Sequence, residues 1–294
     1  MKNILTPIVF SIILSVILCL CVPETRKDSP IPFKELEFVS VYDHEKGVVI
    51  TMGVEEYVLK CLAKEMPATF EMEALKAQAV AIRSYLSCKK EQEKHDGAMV
   101  CTDFNCCAAF LRDLSSLNKE NQERLRNAVL ETKGQILMFD GYPANTVFHA
   151  ISAGKTENAK DVWGTDLPYL RSVVSDVDKS IEKYESSATF TKENIKEIFS
   201  VNNAEISGIE RTDAGYVKLL KIGGQIFSGA EIRKRLNLRS TAFDVTAVGE
   251  DIIFNVKGYG HGVGMSQWGA NEYAKKGFSY KQILEHYYSG CSLT

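Results

Sequence analysis

The hydropathy pattern divides the chain near its start. Residues 4–22 form an apolar run relieved only by Thr6, Pro7, Ser11 and Ser15, with Lys2 as the only cation upstream. Such a run is long enough to cross a bilayer and longer than an ordinary signal-peptide core. It predicts an uncleaved transmembrane helix at 1–22 with the short positive end inside, a cleaved export signal being the alternative. Either way the bulk of the chain is exported. Residues 23–36, with Pro23, Pro30 and Pro32 among charges, read as an extended linker, and 37–294 as the folded part.

Within the folded part, Val54, Val58, Cys61 and Leu62 recur at helical spacing, and the same stripe continues onto Glu65. Pro67 disfavours helical geometry at Met66, so this helix ends at about 65–66, and a second runs over 73–87. An acid is thus placed inward at a corner between two helices. Burial raises a carboxyl's pKa and holds its proton near neutral pH, which a general acid requires. The competing reading is a structural acid paired with an arginine such as Arg83, or one exposed at a frayed helix end.

Further along, "GVVITM" reads as a strand, and 115–150 as a helix followed by two strands around Asp140-Gly141. "YVKLLKIGGQIFSG" is a hairpin around Gly223-Gly224, "GAEIRKRL" a short helix, and "FDVTAVGEDIIFNVKGYG" a second strand pair. The final stretch reads as two short helices split by Gly277. Helices mixed with antiparallel hairpins, without a βαβ rhythm, predict an α+β fold, with a possible subdomain at about 172–256.

Composition adds little: 294 residues, 45% hydrophobic, 25% charged and a net charge of -3 suit one or two globular domains and argue against a basic nucleic-acid binder. The cysteines change the picture more. "HDGAMVCTDFNCC" offers His95, Cys101, Cys106 and Cys107 as four ligands for a tetrahedral Zn²⁺, with Asp103 or a water as a substitute. Four protein ligands leave no open position, so the role would be structural. Disulfides are the alternative in an exported chain, with Cys61, Cys88 and Cys291 as further candidates. A zinc hydrolase is disfavoured because no HExxH is present. In "KGYGHGVGMSQWGA", four glycines surround His261 and precede Gln267; the pattern alone favours a tight strand-to-helix turn, with a ligand-approaching loop as the alternative. "HAISAGKTENAKDVWG" is a polar loop of similar character.

"EMPATFEMEALKAQAVAIRSY", "FHAISAGKTENAKDVWG", "PYLRSV" and "GYGHGVGMSQWGA" together, in this order, resemble the stage II sporulation protein D family of peptidoglycan lytic transglycosylases, over about 37–290. The resemblance implies a single catalytic Glu, falling on Glu65, and cleavage of the β-1,4 bond after N-acetylmuramic acid with formation of a 1,6-anhydro ring. It implies glycan strands already stripped of stem peptides as substrate. Gln78, Arg83, Ser152, His261 and Gln267 are implied as substrate-binding residues, and Lys183 by a looser match. Ala153 departs from the family's usual middle motif. The His-Cys cluster stands where some members carry zinc. Implied partners are stage II sporulation protein P, an amidase and endopeptidase, and the scaffold stage II sporulation protein M. The implied location is the engulfing membrane of the mother cell, single-pass, with the catalytic domain on the extracytoplasmic side. A non-enzymatic rival from the same family is a glycan-binding enhancer of an amidase.

Overall fold

The computed structural model describes residues 37–89, 95, 97–103 and 106–294. The apolar run at 4–22 and the linker at 23–36 lie outside these residues, so the predicted anchor does too. Among the described residues no helix is long and apolar enough to cross a membrane.

In chain order, β1 (Phe38–Asp43) and β2 (Val48–Gly53) lead into α1 (Val54–Glu65) and α2 (Met72–Cys88). Then come β3 (Val100–Cys101), α3 (Lys119–Glu131), β4 (Leu137–Phe139), β5 (Tyr142–Pro143), β6 (Phe148–His149) and α4 (Ala159–Trp163). A second group holds β7 (Glu185–Thr191), α5 (Lys192–Phe199), β8 (Ile206–Arg211), β9 (Val217–Ile222), β10 (Gln225–Ser228), α6 (Gly229–Arg235), β11 (Phe243–Val248) and β12 (Asp251–Lys257). The chain closes with β13 (Met265–Ser266), α7 (Gln267–Lys275), α8 (Tyr280–Tyr287) and β14 (Ser292–Leu293). The fold is mixed α+β.

Helix α1 stops where the sequence says it must. Met66, held extended at φ −126° by the following proline, caps it, and Glu65 is its last residue. The apolar stripe of α1 buries Tyr57, Val58, Cys61 and Leu62 against α2 and α3 in a first core that also takes in Leu75, Ile82, Leu125, Ile283 and Tyr287. A second core, around Phe199, Leu220, Phe243 and Phe254, lies within 188–256. Each fully buried side chain of this size contributes about 2 kcal/mol to folding.

Among the described residues, four three-stranded sheets have orders β2-β1-β3, β10-β9-β8, β11-β12-β7 and β14-β4-β5. Most pairs are antiparallel, but β1 with β3 and β6 with β13 run parallel, which the sequence pattern did not indicate. The β6/β13 pair matters for the site: it sets His149 opposite Ser266, so the "FHAISAG" and "GYGHGVGMSQWGA" stretches lie side by side. The glycines serve that contact. A Cβ at Gly264 would fall 2.0 Å from the Val147 carbonyl oxygen, and one at Gly260 2.7 Å from the His149 Cβ. The glycine-rich stretch is therefore a tight packing turn against its own chain.

Candidate active site at the end of helix α1

Glu65 is half-buried at the corner between α1 and α2. Its Oε1 accepts a hydrogen bond from the Ala109 backbone N–H at 2.6 Å, and its Oε2 faces the Gln267 Nε2 at 3.5 Å. Burial raises the Glu65 pKa, and this outweighs the two hydrogen bonds and the charge of Lys64, all of which favour the ionised form. Cys61, one helical turn earlier, is fully buried, and burial raises its thiol far above the usual range, so it stays neutral beside the acid.

Two separate devices position the groups around Glu65. Ala109 belongs to a segment that runs alongside α1: the Leu111 N–H donates to the Lys60 carbonyl, and the Phe110 ring lies 6.0 Å from that of Tyr57. Gln267 is the first residue of α7, and Ser266 caps that helix by accepting from the Gly269 N–H. Ser266 in turn donates to Asp178 at 2.8 Å. Asp178 is fully buried and also accepts from Ser152, tying the middle loop to the start of α7. Burial pushes the Asp178 pKa up to about 6 against the pull of its hydroxyl donors. Sequence reasoning missed Asp178. Its only signal was an acid following Val177 in "SDVDKS", which nothing separates from a surface turn.

The remaining sequence candidates fall differently. Arg83 is buried, but its guanidinium pairs with Glu55 through Nε at 2.9 Å and Nη2 at 2.6 Å, and its Nη1 donates to the Gln135 carbonyl at 3.0 Å. Glu55 is at the opposite end of α1 from Glu65, about 15 Å along the axis. Arg83 is thus held as a structural cation by Glu55 and the Gln135 carbonyl. The Ser152 hydroxyl, buried on Asp178, likewise does not face solvent. Gln78 is 0% exposed, and neither amide atom has a hydrogen-bond partner among the described residues. Lys183 is exposed, beside a hollow lined by Tyr184 and Lys257. His261 is half-buried, and its Nδ1 accepts from the Val263 N–H at 3.1 Å. Burial pushes its pKa down to about 4, so it is neutral at physiological pH.

The cysteine cluster fits a metal. The ligand atoms of His95, Cys101, Cys106 and Cys107 lie within 4.8 Å of one another. A tetrahedral zinc, with bonds of about 2.3 Å to sulfur and about 2.05 Å to nitrogen, separates its ligand atoms by roughly 3.6–3.8 Å. Cys107 Sγ and Cys106 Sγ stand 3.5 and 3.9 Å from His95 Nε2. Burial pushes the Cys107 thiol up to about 12, so a divalent cation is what would hold these sulfurs as thiolates. Cys61, Cys101, Cys106, Cys107 and Cys291 form no disulfide with one another.

A profile of the Stage II sporulation protein family matches residues 42–139, which include Glu65 and the cysteine cluster. Stage II sporulation protein D of Bacillus amyloliquefaciens is 35% identical over 285 residues, covering 92% of this chain and 80% of the relative. The chain belongs to the stage II sporulation protein D family. The Bacillus subtilis (strain 168) member is 33% identical over 284 residues, covering 92% of this chain and 81% of its own. The amidase enhancer of Bacillus subtilis (strain 168) is 28% identical over 294 residues, covering 79% of this chain and 39% of its own length.

Proposed function

We propose that this sporulation protein is a lytic transglycosylase acting on peptide-stripped peptidoglycan strands, with Glu65 as its acid and base. The observation that carries the reading is the half-buried carboxyl of raised pKa, one oxygen of which is pinned by a backbone N–H. A backbone amide can only donate, so Oε1 must accept and the acidic proton belongs on Oε2. Protonated Glu65 gives that proton to the glycosidic oxygen as the C1–O bond breaks. The resulting carboxylate then takes the proton from the muramic C6 hydroxyl, whose oxygen bonds to C1 and closes the 1,6-anhydro ring. One carboxyl serves both steps and no water is consumed, so the paired carboxylates of glycoside hydrolases are not required. Gln267 suits the exchange, because turning its side-chain amide lets it donate to the carboxylate or accept from the acid.

The His95, Cys101, Cys106 and Cys107 cluster is assigned to a structural Zn²⁺. When bound, that ion supplies cross-linking of the loop and no chemistry at Glu65. The apolar run at 4–22 would hold the domain at the extracytoplasmic face of the engulfing membrane, beside an amidase and a scaffold of the sporulation machinery.

The test is digestion of peptide-free glycan strands, with Glu65→Gln as control and products read by mass spectrometry. Anhydro-muramic ends made by the native protein and absent from the variant support the reading. The similarity to an amidase enhancer favours one rival, a glycan-binding module. It predicts bound but uncut strands, and binding indifferent to Glu65→Gln.

A further inference from the structure

Two exposed aromatic rings and two arginines form a group that none of the assignments above uses. Trp163, the last residue of α4, is 40% exposed, with its ring centroid 5.1 Å from that of His261. Tyr259 is 48% exposed, and the Arg239 guanidinium lies 4.7 Å over its ring. The Arg239 carbonyl accepts from the Gly260 N–H, fixing that arginine to the glycine turn. Arg233 completes the group: its charge acts on both the His261 and the His149 rings, and it lies close enough to Tyr259 to feel that phenol.

Arg83, Arg112, Arg171, Arg211 and Arg235 each face a carboxylate. Like Arg124 and Arg126, Arg233 and Arg239 face no carboxylate among the described residues. Arg233 makes one side-chain hydrogen bond, from Nε to the Leu238 carbonyl at 3.3 Å, and Arg239 makes none among those residues. Both guanidinium groups therefore keep donors for an anion. The neutral His261 ring adds no competing charge, and exposed rings offer flat faces to the C–H face of a sugar.

The geometry points to a second glycan-binding site, in which Trp163 and Tyr259 stack on sugar rings while Arg239, supported by Arg233, pairs with a carboxylate on the strand. This rests on the glycan reading of the Glu65 site and deepens it by naming the chemical group recognised. In a strand stripped of its peptides, each muramic residue carries a free lactyl carboxylate. In an unstripped strand that carboxylate is an amide, with neither charge nor a fork of oxygens for a guanidinium. The site would thus supply the physical basis, in named side chains, for the preference for stripped strands that the family resemblance implies.

The test measures binding by the full chain carrying Glu65→Gln, to keep strands intact. The probes are an octasaccharide of alternating N-acetylglucosamine and N-acetylmuramic acid, and the chitin octamer, which lacks carboxylates. Arg239→Gln is expected to weaken binding of the muramic octasaccharide by about tenfold or more, leaving chitin binding unchanged. Arg239→Lys should recover part of the loss, and Trp163→Ala should weaken both probes. Unchanged affinity for the muramic octasaccharide in both Arg239→Gln and Trp163→Ala would overturn the site. The two readings fail separately. If binding depends on Arg239 and Trp163 but the native chain leaves strands uncut, this site stands and the catalytic reading falls. If the native chain cuts while binding ignores both substitutions, the reverse holds.

Discussion

At Glu65, burial opposes ionisation while the Ala109 N–H and the Gln267 amide favour it, and burial prevails. Removing Gln267 takes away one of the two stabilisers of the carboxylate, so Gln267→Ala raises the Glu65 pKa further. The acid must carry its proton at the start, so activity holds below that pKa and falls as pH rises through it. The alkaline limb of the pH–rate profile should therefore move to higher pH in Gln267→Ala, while kcat falls; a limb that stays in place or moves down contradicts this role. Arg83 answers to stability. Arg83→Ala leaves Glu55 and the Gln135 carbonyl without their donor and should cost about 3 kcal/mol in denaturant unfolding. Glu65's position was legible in the sequence, since an apolar stripe and a proline fix both its face and the helix end. Arg83 was not: the sequence places it on a buried helix face but cannot say which of several acids it meets.

Among the elements, the legible ones have strong local signals. The two-residue turns at Asp140-Gly141 and Gly223-Gly224 have positive φ at both positions, as their residue types require. Some overlooked elements carry such signals, β7 an alternation and α5 a capping box at Thr191, while others lack them. β8, "ISGIER", is mostly exposed and broken by register shifts, so it shows no alternation of apolar and polar residues. β3, β6 and β13 are two residues each, too short to show any period. The cysteine loop carries its own prediction. It leads within two residues from Cys107 to Ala109, whose N–H holds Glu65. Chelation, followed by metal quantification and a thermal melt, should remove one cation per chain, lower the melting temperature and reduce activity together. Release of a cation with unchanged melting temperature would exclude a structural metal.

Over the whole molecule, the two cores meet along a polar seam. The Tyr216 hydroxyl accepts from the Ala153 N–H and donates to the Lys155 carbonyl. The Thr212 hydroxyl donates to Glu157 at 2.7 Å. Glu157 is buried, and burial pushes its pKa from 4.5 up to about 7. A carboxyl whose folded pKa is raised contributes stability that is fully present below its unfolded pKa and lost as pH rises through the folded one. Stability from this group should thus decline between about pH 4.5 and 7. Glu157→Gln keeps an acceptor for Thr212 without the charge, so it should stabilise the protein above pH 7 by up to ~3 kcal/mol, the gain shrinking toward pH 5. A gain that is independent of pH would show that Glu157 is not the titrating group. No sequence pattern announces this seam, because it joins residues more than fifty positions apart.

On the proposed reading, Glu65 cleaves the strand by internal transfer, without water. Digestion of peptide-free strands in ¹⁸O-labelled water, followed by mass spectrometry of the new ends, tests it most directly. Internal transfer by Glu65 gives anhydro ends free of ¹⁸O from the native chain and no new ends from Glu65→Gln. Reducing ends carrying ¹⁸O, or equal cleavage by the variant, would contradict it.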